Sequence, residues 1–143
     1  MLKTDNEYND TSFSDPKLPY TIFINLPNIY LKNWLERTVE NLIHETMHLQ
    51  LSLLEKKYDF YLLTNEKIYS PWKYEPRNNK GILHAVVFSH LKKFWEKVYS
   101  SEKNSFSKQR IEEIQKQLNL VSIEKLSSFY SKDGLRLLNI CFS

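Results

Sequence analysis

Apolar residues recur at intervals of three and four along residues 28–57, which is the spacing of an amphipathic helix. The positions are Leu31, Trp34, Leu35, Val39, Leu42, Ile43, Met47, Leu51 and Leu54. The same spacing returns after Gly81 and predicts a second helix that ends near residues 100–101. Shorter helices are predicted over residues 107–118 and 122–131, and the apolar ending GLRLLNICF is expected to dock on the core. The chain is therefore predicted to be mainly α-helical.

Three stretches interrupt this helical pattern. Residues 20–26, YTIFINL, have the β-branched and aromatic composition of one short strand, although no partner strand is evident. Residues 59–79 contain Pro71, Pro76 and several aromatic residues without helical periodicity, which predicts a long aromatic-rich connecting loop. Residues 1–19 are rich in Asp, Asn, Ser, Thr and Pro and are predicted to form a flexible N-terminal arm. The length of 143 residues fits a single compact helical domain over residues 20–143.

Charge and cysteine content narrow the functional classes. The 20 Lys and Arg residues only slightly outnumber the 17 Asp and Glu residues, and they are spread along the chain, which argues against nucleic-acid binding. No apolar run approaches the length of a membrane span, and the polar N-terminus lacks the apolar segment of a signal peptide. The single cysteine, Cys141, lies among apolar residues, as expected for a buried thiol in a reducing compartment. These features predict a cytoplasmic protein that does not associate with membranes.

The motif H-E-x-x-H occurs within the first predicted helix, as His44, Glu45, Thr46, Met47 and His48. Residues four apart lie on nearly the same side of a helix, about 6 Å apart along its axis, so two imidazoles can bind one metal ion. Glu45 lies on the adjacent flank, where its carboxylate can act as a general base on a metal-bound water or as an outer hydrogen-bond partner. The alternative is that two surface histidines share a helix by chance.

A catalytic metal ion needs at least one further protein ligand. A metzincin arrangement is excluded, because its downstream Gly and His positions are occupied here by Leu51 and Leu54. Glu96, the helical glutamate that a gluzincin would use, is surrounded by lysines and is expected to form a surface ion pair. His84 has apolar neighbours and is expected to face inward, either as the third ligand or as a core histidine that bonds a backbone carbonyl. His90 is expected at the surface or outside the ligand shell.

Two segments together carry a family resemblance. The segments are NLIHETMHLQLSLL and YSPWKYEPRNNKGILHAVVFSHLKKFW. They resemble the HExxH-type peptide modification proteins encoded with ribosomally made natural products, whose characterised members look like iron(II)- and 2-oxoglutarate-dependent peptide β-hydroxylases. In that family the HExxH helix is followed by the pattern Y-x-P-W-R-x-D-P-R-P and then by G-x-L-H. This chain supplies Tyr69, Pro71, Trp72, Pro76, Arg77, Gly81, Leu83 and His84 in the same order.

The resemblance implies a set of site residues. The iron ligands would be His44, His48 and His84. Arg77 is the first choice for binding the distal carboxylate of 2-oxoglutarate, because a guanidinium matches a carboxylate with two parallel hydrogen bonds. Lys73 stands where the family usually has an arginine, and it is the second candidate for this contact. Tyr69 and Trp72 would line the cosubstrate pocket, with simple packing of the loop as the alternative.

The reaction that the resemblance implies is hydroxylation of a β-carbon in a ribosomally synthesised precursor peptide. Family members usually carry a larger region ahead of the HExxH helix than the about 40 residues found here. Peptide binding is therefore expected either to be lost or to depend on a partner protein that completes the peptide-binding surface. Two other functions stay open at this point. One is a zinc-dependent HExxH metallopeptidase in which Glu45 activates water, and the other is a non-catalytic domain that binds a peptide or a partner.

Overall fold

In the computed structural model, helices make up most of the described chain, which comprises residues 12–15, 17–18, 20–26 and 28–143. The strands are β1 (Ser12–Ser14), β2 (Ile22–Ile24), β3 (Ile68–Ser70) and β4 (Glu75–Arg77). The helices are α1 (Trp34–Glu55), α2 (Asn79–Ser89), α3 (Leu91–Glu102), α4 (Ser105–Asn119), α5 (Ile123–Leu126) and α6 (Lys132–Phe142). No helix in the described residues has the length and apolar character needed to cross a membrane. The prediction of a mainly α-helical fold is confirmed.

The first of two compact units comprises residues 1–53 and contains β1, β2 and most of α1. β1 pairs antiparallel with β2, and Phe13 stacks on Phe23 with ring centroids 4.5 Å apart. The strand predicted within residues 20–26 is therefore present as β2, and its partner is a segment of the predicted N-terminal arm. Residues 1–11, 16 and 19 of that arm lie outside the described residues.

Helix α1 is shorter than its apolar periodicity predicts, because the chain turns before it. Asn33 has a φ of 60°, a left-handed conformation that does not continue a right-handed helix. Just ahead of it, the Leu31 amide donates to the Asn28 carbonyl at 2.9 Å, which closes a turn. The helix therefore begins at Trp34 rather than near Asn28, and it still contains the whole HExxH motif.

The second unit, residues 54–143, begins with a loop that contains a β-hairpin. β3 and β4 pair antiparallel, with Tyr69 opposite Pro76. The Tyr74 amide closes the turn by donating to the Ser70 carbonyl at 2.8 Å. Proline cannot donate to a ladder, but a two-stranded hairpin has two open edges and tolerates Pro76. The loop predicted over residues 59–79 is thus partly ordered as a hairpin.

The single helix predicted after Gly81 is two helices, α2 and α3, that meet at His90. The His90 amide donates to the Val87 carbonyl, three residues back, at 3.0 Å. This tighter bond interrupts the four-residue hydrogen-bond series of an α-helix. At the other end, the Asn78 side chain accepts a hydrogen bond from the Gly81 amide at 2.8 Å, which starts α2 earlier than the apolar pattern indicates.

Residues from α2, α3, α4, α5 and α6 form the core of the second unit. Its least exposed apolar side chains are Ile82, Leu83, Val86, Leu91, Trp95, Ile114, Leu126 and Leu138. The Trp95 ring meets the Phe106 ring at a centroid distance of 5.2 Å. Cys141 is buried as predicted, and burial raises the pKa of its thiol to about 11, so it is an inert, neutral group near pH 7.

Two segments that are far apart in sequence form backbone hydrogen bonds with each other: residues 61–62, at the start of the hairpin loop, and residues 129–130. Tyr61 forms an antiparallel bridge with Tyr130, and the Leu62 amide donates to the Phe129 carbonyl at 3.1 Å. Because residue 130 is extended, the helix predicted over residues 122–131 is only α5 followed by a 3-10 turn. This pairing holds the Tyr61 side chain in a fixed position.

Candidate metal site

His44 and His48 lie one turn apart on α1, and their rings converge. Nε2 of His48 is 2.8 Å from Nε2 of His44, and the ring centroids are 4.4 Å apart. As hydrogen-bonded neighbours, one ring donates its N–H and the other accepts. Two nitrogens that each bind one ion at about 2.1 Å, with an angle of about 90° between them, would lie about 3 Å apart. The observed spacing therefore suits two neighbouring ligands of a single metal ion.

Glu45, the glutamate of the motif, is buried and held by two serines of β1. The hydroxyl of Ser12 donates to Oε1 at 2.8 Å and the hydroxyl of Ser14 donates to Oε2 at 2.9 Å. Only 5% of Glu45 is exposed, so these two hydrogen bonds satisfy a carboxylate that would otherwise be costly to bury. Sequence reasoning did not identify Ser12 and Ser14. Their spacing of two residues, which places both on one face of a strand, is the signal that could have done so.

His84 lies on α2, where its side chain is 17% exposed, and it contacts a carboxylate. Its Nε2 is 2.8 Å from Oε1 of Glu55, the last residue of α1. The neighbouring Leu83 is fully buried, so packing of α2 fixes the direction in which His84 points. The sequence predicted that His84 is either a metal ligand or a core histidine bonded to a backbone carbonyl. It did not predict a carboxylate partner, because His84 and Glu55 are 29 positions apart.

Glu55 is the centre of a network of three donors. Its Oε1 accepts a short hydrogen bond from the Tyr61 hydroxyl in addition to that from His84, and Oε2 lies 2.9 Å from Nζ of Lys80. Burial alone would raise the pKa of Glu55, but the hydrogen bonds from Tyr61, Lys80 and His84 outweigh it and hold the pKa below its usual value. Burial and the Glu55 carboxylate together raise the pKa of Tyr61. Glu55 is therefore an ionised acceptor near neutral pH.

We expect Glu55 to make folding depend on pH in the acid range. Because its folded pKa is lowered, its stabilisation is complete above the ordinary carboxyl pKa of 4.5 and is lost as the pH falls through the folded value. The stability difference between wild type and Glu55→Gln should therefore shrink as the pH falls below 4.5. Urea unfolding in steps of pH measures this difference, with the exposed Glu96→Gln as the matched control. A constant difference across the acid range would contradict this prediction.

The four residues predicted to bind or surround the cosubstrate all lie on the hairpin formed by β3 and β4. Arg77 pairs with Glu75, with Nη1 and Oε1 2.8 Å apart, and both side chains are about half exposed. Lys73 lies exposed in the turn. Tyr69 is exposed, whereas Trp72 is half-buried with an indole N–H that lacks a hydrogen-bond partner among the described residues. The structure thus brings Arg77, Lys73, Tyr69 and Trp72 onto one short element.

Two residues considered as other ligands occupy different surroundings. Nζ of Lys92 lies 2.8 Å from Oε1 of Glu96 on the surface of α3, which matches the ion pair expected for this glutamate. His90 is half-buried at the junction of α2 and α3, and its Nδ1 has no hydrogen-bond partner within the described part of the chain. Burial, with a smaller contribution from Lys93, lowers the pKa of His90.

The proposed ligands are divided between the two units. His44 and His48 belong to residues 1–53, and His84 belongs to residues 54–143. Among residues 12–15, 17–18, 20–26 and 28–143, no group of three or more His, Cys, Asp or Glu side chains is arranged to hold a metal ion. The binding of one ion by all three histidines therefore stays a prediction.

Comparison with known proteins does not assign a family or a function to the chain. No family model matches the chain, and no curated protein matches it. The resemblance to HExxH-type peptide modification proteins therefore rests on the motifs themselves, and the function that it implies is a proposal.

Proposed function

We propose that this chain is a peptide-modifying metalloenzyme that hydroxylates a β-carbon of a ribosomally synthesised precursor peptide. Iron(II) would be held by His44, His48 and His84, and when bound it supplies the oxidising power together with 2-oxoglutarate and O₂. The observation that carries the proposal is the 2.8 Å approach of the His44 and His48 Nε2 atoms. Helical spacing alone brings two such rings to the same side, but it does not bring their nitrogens into contact.

The ligand set suits an anionic cosubstrate. Three neutral imidazoles leave the full charge of a divalent ion uncompensated, which favours binding of a dicarboxylate. Arg77 already holds a carboxylate, that of Glu75, at 2.8 Å in an exposed ion pair. Exposed ion pairs contribute about 0–1 kcal/mol, so exchange of Glu75 for the distal carboxylate of 2-oxoglutarate costs little. Lys73 is the second basic residue on the same hairpin, and Tyr69 and Trp72 would provide apolar contact area beside it.

The position of Glu45 favours the hydroxylase over the zinc peptidase. A peptidase requires this carboxylate to take a proton from metal-bound water. Both carboxylate oxygens of Glu45 instead accept hydrogen bonds from Ser12 and Ser14. In our proposal Glu45 joins β1 to α1 and thereby steadies the helix that carries His44 and His48.

The remaining parts of the proposal concern partners and location. The first unit exposes large apolar side chains, at Phe13, Tyr20, Leu26, Ile29 and Tyr30. Exposed apolar surface of this kind favours binding to another chain. A partner protein would complete the surface that binds the precursor peptide. A cytoplasmic location belongs to the same proposal, because an unpaired buried cysteine suits a reducing compartment.

Formation of succinate from 2-oxoglutarate tests the proposed reaction. Protein loaded anaerobically with iron(II) is exposed to O₂ and 2-oxoglutarate, without a peptide, and the uncoupled formation of succinate is measured. We expect iron-dependent succinate from wild type and from His90→Ala, and a loss to background in His84→Ala. Cleavage of a casein test substrate with zinc, independent of 2-oxoglutarate, would support the peptidase instead. Full succinate formation by His84→Ala would contradict the ligand assignment.

A further inference from the structure

An apolar stripe runs along α1, on the side of the helix opposite the buried Leu51. Successive residues of the stripe are four, three, four, three and four positions apart, which is the spacing of a coiled-coil seam. We call it the α1 stripe, and its residues are Leu35, Val39, Leu42, Thr46, Leu49 and Leu53. At about 100° per residue they all lie within about 80° of the helix circumference, and Leu51 lies about 160° from their centre.

The α1 stripe is exposed along most of its length. Leu35, Leu42 and Leu53 expose 55%, 48% and 47% of their surfaces. Single exposed leucines are common in proteins, but a row of them along one helix marks an interaction surface. The hydroxyl of Thr46 donates to the Leu42 carbonyl at 2.7 Å, so it is satisfied within the helix and leaves the methyl group of Thr46 for apolar contact. The stripe contains no charged residue and is therefore suited to packing against another apolar surface.

The α1 stripe is complementary to itself, because its spacing is the same when it is read in either direction. When a second copy of α1 lies antiparallel, every stripe residue therefore faces a stripe residue of the copy. The facing pairs are Leu35 with Leu53, Val39 with Leu49, and Leu42 with Thr46. One surface that matches itself in this way forms the interface of a two-fold symmetric dimer.

The charges beside the stripe also fit a second copy. Glu36 would face Gln50 of the copy, whose amide can donate a hydrogen bond to a carboxylate. Glu45 would lie near Glu45 of the copy, but each is buried and both of its carboxylate oxygens accept hydrogen bonds from serines of β1. The antiparallel arrangement therefore brings no exposed pair of like charges together beside the stripe.

We propose that this chain forms a homodimer in which the α1 stripes of two copies pack antiparallel. His44 and His48 lie about 180° and 140° around the helix from the centre of the stripe. Packing along the stripe therefore does not involve the imidazoles of the HExxH motif. The dimer is independent of the proposed function and is expected whether or not these histidines bind a metal ion.

Sedimentation equilibrium of the full chain at high micromolar concentration tests this proposal. Wild type should have twice the chain mass of 17.2 kDa. Leu42→Asp should raise the dissociation constant of the dimer by more than about 100-fold, because the new charge enters the middle of a symmetric interface twice. A monomeric wild type, or an unchanged dissociation constant in Leu42→Asp, would overturn the proposal.

Leu53→Asp and Leu54→Asp are a matched pair of variants. Leu54 is also exposed, at 40%, but it lies about 100° around the helix from Leu53 and outside the stripe. Leu53→Asp should weaken the dimer, whereas Leu54→Asp should keep the wild-type mass. Far-UV circular dichroism should show the same helix content in both, since both positions are exposed. Equal weakening of the dimer by the two substitutions would be inconsistent with pairing along the stripe.

Disulfide cross-linking tests the antiparallel direction. Leu35→Cys and Leu53→Cys are oxidised with copper phenanthroline, each alone and as an equal mixture, with wild type as the control for the buried Cys141. Cross-linked dimers should form in the mixture and be absent from each variant alone. A cross-link in Leu35→Cys alone would overturn the antiparallel arrangement.

Discussion

Replacement of His48 by alanine should lower the affinity of the chain for iron(II) by more than about 100-fold, since it removes a ligand rather than an outer partner. Its Nε2 lies 2.8 Å from Nε2 of His44. When one of these two rings is removed, α1 provides only one ligand to the ion. His44→Ala should have an effect of the same size. Anaerobic competition with a chromophoric iron chelator measures the affinity.

His90→Ala is the matched control for this experiment. His90 is also a half-buried histidine, but it lies at the junction of α2 and α3 rather than in the HExxH motif. Iron affinity should be unchanged in this variant. Tight iron binding that survives His48→Ala would show that the two rings of α1 only bond each other, and the proposal would lose its main support.

A second large effect is expected from Gly134→Ala, which should destabilise the fold. A Cβ at this position would overlap the backbone carbonyl oxygen of Phe60 and would lie 3.0 Å from Cβ of Tyr130. Backbone cannot swing aside as a side chain can, so the segment that pairs with residues 129–131 would have to shift. Overpacking of this kind costs about 1–3 kcal/mol, only partly offset by the higher helix propensity of alanine, about 1 kcal/mol. Urea unfolding measures the loss.

Gly81→Ala provides the comparison within the same unit. Both glycines are the third residue of a helix, and each amide bonds a capping side chain, Asn78 for Gly81 and Ser131 for Gly134. A Cβ at Gly81 would meet Nε of Arg77 at 3.1 Å, which is part of a flexible, half-exposed side chain. Gly81→Ala should therefore change stability little. Equal stability losses in the two variants would indicate that the carbonyl of Phe60 is not the cause.

The sequence predicts the long helices well because their apolar faces repeat over several turns. It places α4 close to its observed bounds and identifies α1, although it begins α1 too early. It does not divide α2 from α3, because no proline or glycine marks the junction at His90 and the apolar pattern runs through it. The sequence also does not predict the hairpin, because Pro71 and Pro76 disfavour strands in general. Only a two-stranded ribbon tolerates Pro76.

The contacts within the candidate site are also only partly predictable from the sequence. The HExxH spacing predicts that His44 and His48 share one side of a helix, and the structure adds that their Nε2 atoms meet. The contacts made by Glu45 and Glu55 join residues about 30 positions apart, and no periodicity relates them. A three-residue strand such as β1 also carries too little pattern to predict its pairing. Such contacts depend on the tertiary arrangement, which periodicity does not specify.

The X-ray absorption spectrum of the chain loaded anaerobically with iron(II) tests the central claim most directly. Scattering from imidazole rings counts the histidines bound to the ion. We expect one iron per chain with three imidazole ligands in wild type and two in His84→Ala. A wild-type spectrum with oxygen ligands and no imidazole, or with no change on removal of His84, would contradict the account.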